Sequence, residues 1–474
     1  MEKLRNVMAL WARVVSLVFS CVWLAGCSDF VPKPLTPSQT LSEIEARTLT
    51  NAALRAFIQT NAPALATTWP PATWGLRRLS LAAFYYQQDM EVARAKLAAA
   101  EAAVLTAGAR PNPTFSFAPT YSEPPLEFFT PWTLGFTLDV PIETAGKRGY
   151  RIAQARHLAN AARLRLADVA WQVRSRVRGS LLELRAAELN EEFLSQQAAA
   201  QKQMVEIVED RLQAGESSLT DLQLARVAAA QSALQLRDAQ KQHEQARVHL
   251  VEALGVPVNA LTNIALSFAA FDELPIQTNS AVLRREALLN RPDILGALSD
   301  YDASQAALRL EIARQYPDIT LSPGYTWNQG VNNWSPPGVS LLLPVLNQNQ
   351  GPIAEAEARR REAAANFTAL QAHILGEVDA AFAGYRATLH KLQTAEALLA
   401  DQRQRMLLAQ DSLDAGASGR LELLQTQSEL LAGELARANA LAEAQQALGL
   451  LEDALRRPLD EAGKTEIPAA LLKN

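Results

Sequence analysis

Few residue groupings in this chain could do chemistry, and each lacks a part the chemistry needs. Gly146-Lys147-Arg148 carries the Gly-Lys pair of a phosphate-binding loop. That motif also needs a glycine where Pro141 stands, and a Ser or Thr where Arg148 stands. His243-Glu244 begins the zinc-protease pattern, but the second histidine would fall at Arg247. No Gly-x-Ser-x-Gly nucleophile turn occurs. The 5 histidines are not grouped at metal-ligand spacing, so no metal site is expected. The residues therefore point to no catalytic group and no cofactor, and the chain reads as something other than an enzyme. What remains is a set of acids near two glycine-containing turns: Glu209, Asp210, Glu216 and Asp221 around Gly215, and Asp411 and Glu422 around Gly416.

The elements that must position them begin with a targeting segment. Lys3, Arg5 and Arg13 precede an apolar run of about 12 residues, the length of a signal-peptide core. A bilayer-spanning helix needs about 20 apolar residues. The run ends in Leu24-Ala25-Gly26-Cys27, which resembles a bacterial lipobox, and translation can start at Met1 or at Met8. Residues 1–26 are then a leader removed before a lipid-modified Cys27, and Ser28, in place of Asp, favours the outer membrane. Cys21 leaves with the leader, so disulfides and thiol chemistry are excluded within one mature chain. A net charge of −5, from Lys+Arg 45 against Asp+Glu 50, argues against nucleic acid as a partner. No second apolar stretch is long enough for a membrane helix, so a membrane crossing would require a closed β-barrel.

Past the leader the chain repeats itself. Asp89 and Asp293 lie 204 positions apart, Pro111 and Pro317 206, Pro141 and Pro344 203, and Gly215 and Gly416 201. Four landmarks in one order define a duplicated, domain-sized unit. Repeat 1 spans 76–255, with a helix over 76–107, a β-hairpin over 113–141, a long helix over 150–213 and a helix over 219–254. Repeat 2 spans 281–454, with a helical pattern that Arg291-Pro292-Asp293-Ile294 opens and that reaches Tyr316, a hairpin over 318–346, a long helix over 353–415 and a helix over 419–454. Segments 27–75 and 256–280 and the tail 455–474 lie outside the repeats.

Periodicity assigns the element types. Phe115, Phe117 and Tyr121, then Trp132, Leu134, Phe136, Leu138 and Val140, alternate with small polar residues, the period of a strand. Ile319, Leu321, Tyr325 and Trp327 do the same, and Val339, Leu341, Leu343 and Val345 make a fourth, less regular strand. The hairpin loops are expected over 122–130 and 328–337. Four strands cannot close a barrel, since small membrane barrels begin at about eight, so strands in a membrane require oligomerisation. The helix over 150–213 holds no proline and would extend about 96 Å. Val378, Phe382, Tyr385, Leu389 and Leu392 step by four and three, a coiled-coil seam.

Duplicated helix–hairpin–helix units, the lipobox, Asn290-Arg291-Pro292-Asp293-Ile294 and the turns at Gly215 and Gly416 resemble TolC-like outer membrane factors. The resemblance covers nearly all of the mature chain. It implies a mainly α fold with a β-barrel portion. Three chains would form a long α-helical barrel of coiled-coil helices and a 12-strand transmembrane β-barrel, four strands from each. Segments 27–75, 256–280 and 455–474 would form a girdle. The implied function is a passive exit duct for small solutes or metal ions, across the periplasm and outer membrane. The implied partners are two further copies, a periplasmic adaptor, an inner-membrane pump and outer-membrane lipid. Gly146-Lys147-Arg148 resembles the cobalt–zinc–cadmium efflux subgroup; it reads equally as a basic cluster just below the bilayer. Carboxylates near the periplasmic tips of such ducts form rings that narrow the pore, and by position Asp221 and Glu422 match, although Gln425 replaces an expected aspartate. The alternative for each is a solvated acid on a helix surface. A structural or adhesive coiled-coil lipoprotein, a lipid-anchored hydrolase and a protein-secretion exit duct stand as rival readings.

Overall fold

The computed structural model describes residues 30–123, 131–275, 279–328 and 330–459. The leader, Cys27 and residues 460–474 of the tail lie outside the described residues. Residues 30–47 form a unit of their own, holding the exposed helix α1 (Pro37–Glu45), with proline in its first turn. The second unit begins at Thr48.

That unit contains α2 (Ala52–Asn61), α3 (Leu76–Tyr86), α4 (Gln88–Gly108), β1 (Thr114–Tyr121), β2 (Trp132–Ile142) and α5 (Lys147–Gln213). There follow α6 (Leu219–Leu254), α7 (Ser280–Asn290), α8 (Pro292–Ala313), β3 (Ile319–Asn328), β4 (Val331–Leu341), α9 (Gln350–Asp414) and α10 (Arg420–Leu455). With 67 and 65 residues, α5 and α9 each extend about 100 Å. The helix α5 packs along α4 and α6 and also along α8 and α10, and α9 packs along α8 and α10. Buried alanines on α5 (Ala159, Ala161, Ala170, Ala187 and Ala200) permit this close approach. On α9 the expected seam is present: Val378, Tyr385, Leu392 and Leu399 are buried at steps of seven, with Phe382 and Leu389 packed beside them.

The expected single helix over 76–107 is two helices broken at Gln87, and repeat 2 breaks in the same way at Arg291. Both joint residues are extended, and Pro292 disfavours a helical conformation for the residue before it. The break frees Gln87 to donate from Nε2 to the O atoms of Glu252 and Ala253 (2.6 and 2.9 Å), the last carbonyls of α6. Arg291 Nη1 donates in the same way to Ala454 O (2.6 Å) at the end of α10. At both places two short helices therefore lie end to end beside one long helix.

The four strands form one antiparallel sheet in the order β1-β2-β3-β4. Phe117, Phe136, Tyr325 and Trp334 are register partners across all four strands, with adjacent ring centroids 4.9, 6.1 and 4.8 Å apart. The opposite face carries small polar residues, with Ser322 bonded to Asp139 (2.5 Å) and Thr133 to Asn328 (3.1 Å). The second hairpin departs from expectation at both ends. Residues 331–337, expected as loop, are strand, with Asn332, Asn333 and Trp334 paired to Trp327, Thr326 and Tyr325. Pro336 and Pro337 are tolerated because they fall at a bulge, between the Ser322–Gly338 and Gly324–Ser335 pairs, where the ladder is interrupted. Leu343 and Val345, expected as strand, lie beyond its end at Leu341, in an exposed apolar segment containing Pro344.

Candidate pore constriction and the joints that hold it

Both glycine turns stand at the far ends of the long helices from the sheet, and both end their helix in the same way. Gly215 is left-handed (φ 79°), with its N–H bonded to Leu212 O (3.0 Å) and Glu216 N–H to Arg211 O (2.8 Å). Gly416 (φ 69°) repeats this, with Gly416 N–H to Leu413 O (2.9 Å) and Ala417 N–H to Ser412 O (2.9 Å). These reverse bonds satisfy the last helical carbonyls, and the left-handed residue between them favours glycine.

The two acids then occupy the same position, three residues past the cap of the returning helix, in different circumstances. Ser218 caps α6, and its Oγ accepts from Asp221 N–H (3.2 Å). Asp221 Oδ2 accepts from Ser218 N–H (2.9 Å) and Ser218 Oγ (2.7 Å), closing a capping box. Hydrogen bonds from Ser218 hold the Asp221 carboxyl below its ordinary range. The cap of α10 is Gly419, which has no side chain to reciprocate, and Glu422 is exposed in the first turn. Of the other tip acids, Glu209 is paired with Arg226 across the first hairpin (3.1 Å).

Sequence reasoning missed Arg211. Its guanidinium lies beside Gly419, so close that a Cβ there would meet Nη2 at 3.2 Å. A cation from repeat 1 thus sits against the turn that leads into Glu422. Its signal was faint, a lone arginine in the last turn of a long helix.

Two further groups position the long helices. Arg174 and Arg178 of α5 are buried against Glu452 of α10 (3.3 and 3.5 Å). Arg178 also donates to Gln445 O and Oε1 (both 2.9 Å), and Gln445 Nε2 donates to Phe271 O and Glu273 O. Arg291 forks onto Asp293 (3.0 and 2.7 Å) and reaches Glu377 (2.8 Å). Burial alone would raise the Asp293 pKa, but the bonded guanidinium outweighs it and holds the carboxyl below its ordinary value. At the sheet end, Arg148 Nε donates to Gly108 O (2.6 Å) and Lys147 Nζ to Tyr316 O (2.7 Å). Lys147 Nζ also donates to Asp318 (2.7 Å), and Arg151 pairs with Glu143. Gly146-Lys147-Arg148 is therefore a joint that satisfies helix-end and linker carbonyls. Among the described residues, no group of three His, Cys, Asp or Glu could hold a metal ion, and no helix is long and apolar enough to cross a membrane.

A duplicated unit of paired helices, a sheet with one aromatic and one polar face, and two matched turns define a class. The chain belongs to the outer membrane efflux protein family, whose pattern matches residues 84–256 and again 283–455, once in each repeat. It is an outer-membrane exit duct of an efflux system. It is similar to the cobalt-zinc-cadmium resistance protein CzcC of Cupriavidus metallidurans, 28% identical over 325 residues that cover 68% of this chain and 76% of that one. It is also similar to the pyoverdine export outer membrane protein OpmQ of Pseudomonas aeruginosa, 28% identical over 52% of this chain and 53% of that one. Among solved structures it shares its fold with the outer membrane protein VceC of Vibrio cholerae (TM-score 0.65, 21% identity, covering 83% of this chain and 100% of that chain).

Proposed function

We propose that three copies of this chain close a 12-strand barrel and a helical barrel below it, forming a passive duct. A periplasmic adaptor and an inner-membrane pump feed it, and Cys27 carries a lipid anchor in the outer membrane. The observation that carries this reading is the sheet itself. Its aromatic row suits lipid, its small polar face suits a water-filled lumen, and β1 and β4 are edges that bare backbone groups cannot present to hydrocarbon. Four strands cannot close on themselves; twelve can. The cargo we assign is divalent metal cations, supported by the similarity to CzcC over two thirds of the chain and by the exposed Glu422 near the tip. The purified protein in mild detergent is expected to have the mass of three chains and to conduct ions in a planar bilayer. A single-chain mass, or insertion without conductance even with pump and adaptor present, would count against the duct. Export of pyoverdine-like siderophores rather than metals would show as loss of siderophore secretion, with unchanged metal tolerance, on deleting the gene.

A further inference from the structure

Within one chain the two repeats are joined at a seam beside the sheet. Thr144 N–H donates to Asp318 Oδ1 (2.9 Å) and Thr144 Oγ1 to Pro317 O (2.6 Å). Lys147, which is buried, donates from Nζ to Tyr316 O and Asp318 Oδ1. The repeat-2 linker 316–318 is thus seated on the start of the repeat-1 long helix, just below the pairing of β2 with β3.

The duplication supplies the same seat a second time. The long helix α9 also begins after a left-handed residue, Asn349 (φ 63°), as α5 begins after Gly146 (φ 73°). The matching residues are therefore Asn347 for Thr144 and Gln350 for Lys147. The matching linker is 110–113, where Pro111 corresponds to Pro317 and Asn112 to Asp318. Asn347, Gln350 and all of 110–113 are exposed, whereas Lys147 is buried. They flank the two free sheet edges, Gln350 following β4 and Asn112 preceding β1. The chemistry has also changed on both sides together: Lys147 faces Asp318, while their counterparts Gln350 and Asn112 are both uncharged amides. A change on one side alone would leave a charge without its partner in a closed seam, which costs more than an amide pair.

We propose that linker 110–113 of a second copy seats on Asn347–Gln350, with Asn112 of that copy against Gln350. At the paired positions 112 and 350 the seam between subunits is then an amide counterpart of the Lys147–Asp318 pair inside each subunit, with Arg110 standing where Tyr316 stands in the other repeat. This rests on the trimer reading above and specifies how its subunits meet. An amide seam has little dependence on salt, whereas an exposed ionic one weakens as salt rises.

The test is a charge exchange on the full protein in mild detergent, read as the temperature at which the assembled mass falls to that of one chain. Asn112→Asp alone and Gln350→Lys alone are expected to lower that temperature. The double variant is expected to recover it, and to depend on salt more strongly than the parent does. As a second readout, Cys replaces residues 112 and 350 together in a chain whose Cys21 and Cys27 are Ser, and a short bis-maleimide is added. Linked dimers and trimers are expected from the double-Cys chain and from neither single. If the assembled mass persists while the charge effects merely add, or no linkage forms, the seam is overturned and the trimer stands. If the parent itself has the mass of one chain, the underlying reading fails instead.

Discussion

At the scale of single residues, the tip acids differ in what their carboxylates are free to do. Asp221 is turned back onto Ser218 and Ser217, so much of its field is spent on the start of its own helix. Glu422 has no capping side chain to turn to and is exposed. Threefold assembly would make each acid a ring, and a ring of carboxylates attracts cations into a pore. Glu422→Ala is therefore expected to lower the preference for cations over anions in planar bilayers, and to reduce the response to divalent ions. Asp221→Ala is expected to do the same more weakly. Low salt is the condition to use, because screening lengths reach about 30 Å at 0.01 M. If both variants select like the parent there, these acids are surface groups and the constriction lies elsewhere. Arg211, beside Gly419, places a cation at the start of the helix that carries Glu422.

At the scale of elements, the glycine-ended helices carry an internal comparison. Gly215 and Gly255 are both left-handed (φ 79° and 72°), but a Cβ at Gly215 enters open space, whereas at Gly255 it meets Tyr86 O at 3.1 Å. Gly215→Ala is expected to cost only the conformational term, about 1–2 kcal/mol. Gly255→Ala adds a backbone collision at the point where α3 and α4 meet the end of α6, and is expected to lower the melting temperature further, followed by helical circular dichroism. Equal shifts would show that the Tyr86 backbone yields freely. Repeat 2 has Arg456 at the matching place, itself left-handed (φ 53°) and ion-paired with Asp168 (2.9 Å). These features also mark what could be read from sequence. The long helices, the turns and three of the strands were legible because proline-free runs, paired glycines and strict alternation each have one structural meaning. The boundary at Arg291 was legible too, because Pro292 disfavours a helical residue before it. The break at Gln87 was not, because its partners are carbonyls about 165 residues further along the chain. Strand β4 was misplaced because Pro336 and Pro337 signal a loop unless the register shift opposite them is known. The Lys147 joint was visible as a basic cluster, but its partners at 316–318 belong to the other repeat.

At the scale of the whole molecule, the remaining question is what holds the duct in its membrane. Two devices are proposed, the closed barrel and the lipid on Cys27, and their contributions differ in size. A single acylated residue gives modest, reversible attachment, since each buried CH₂ contributes only about 0.8 kcal/mol. Twelve closed strands satisfy every backbone group within hydrocarbon, and leaving it would expose the whole aromatic face. The aromatic row at Phe117, Phe136, Tyr325 and Trp334 crosses all four strands of one chain, so each copy brings its own share of that apolar surface. Cys27→Ser is therefore expected to abolish incorporation of labelled fatty acid. The assembled protein is still expected to remain in the membrane after washing with high salt and carbonate. Labelling that persists in the variant would show that Leu24-Ala25-Gly26-Cys27 is not an acylation signal. Loss of the washed protein from the membrane, with its trimer mass intact, would show that the lipid is the principal anchor and that the sheet does not span the bilayer.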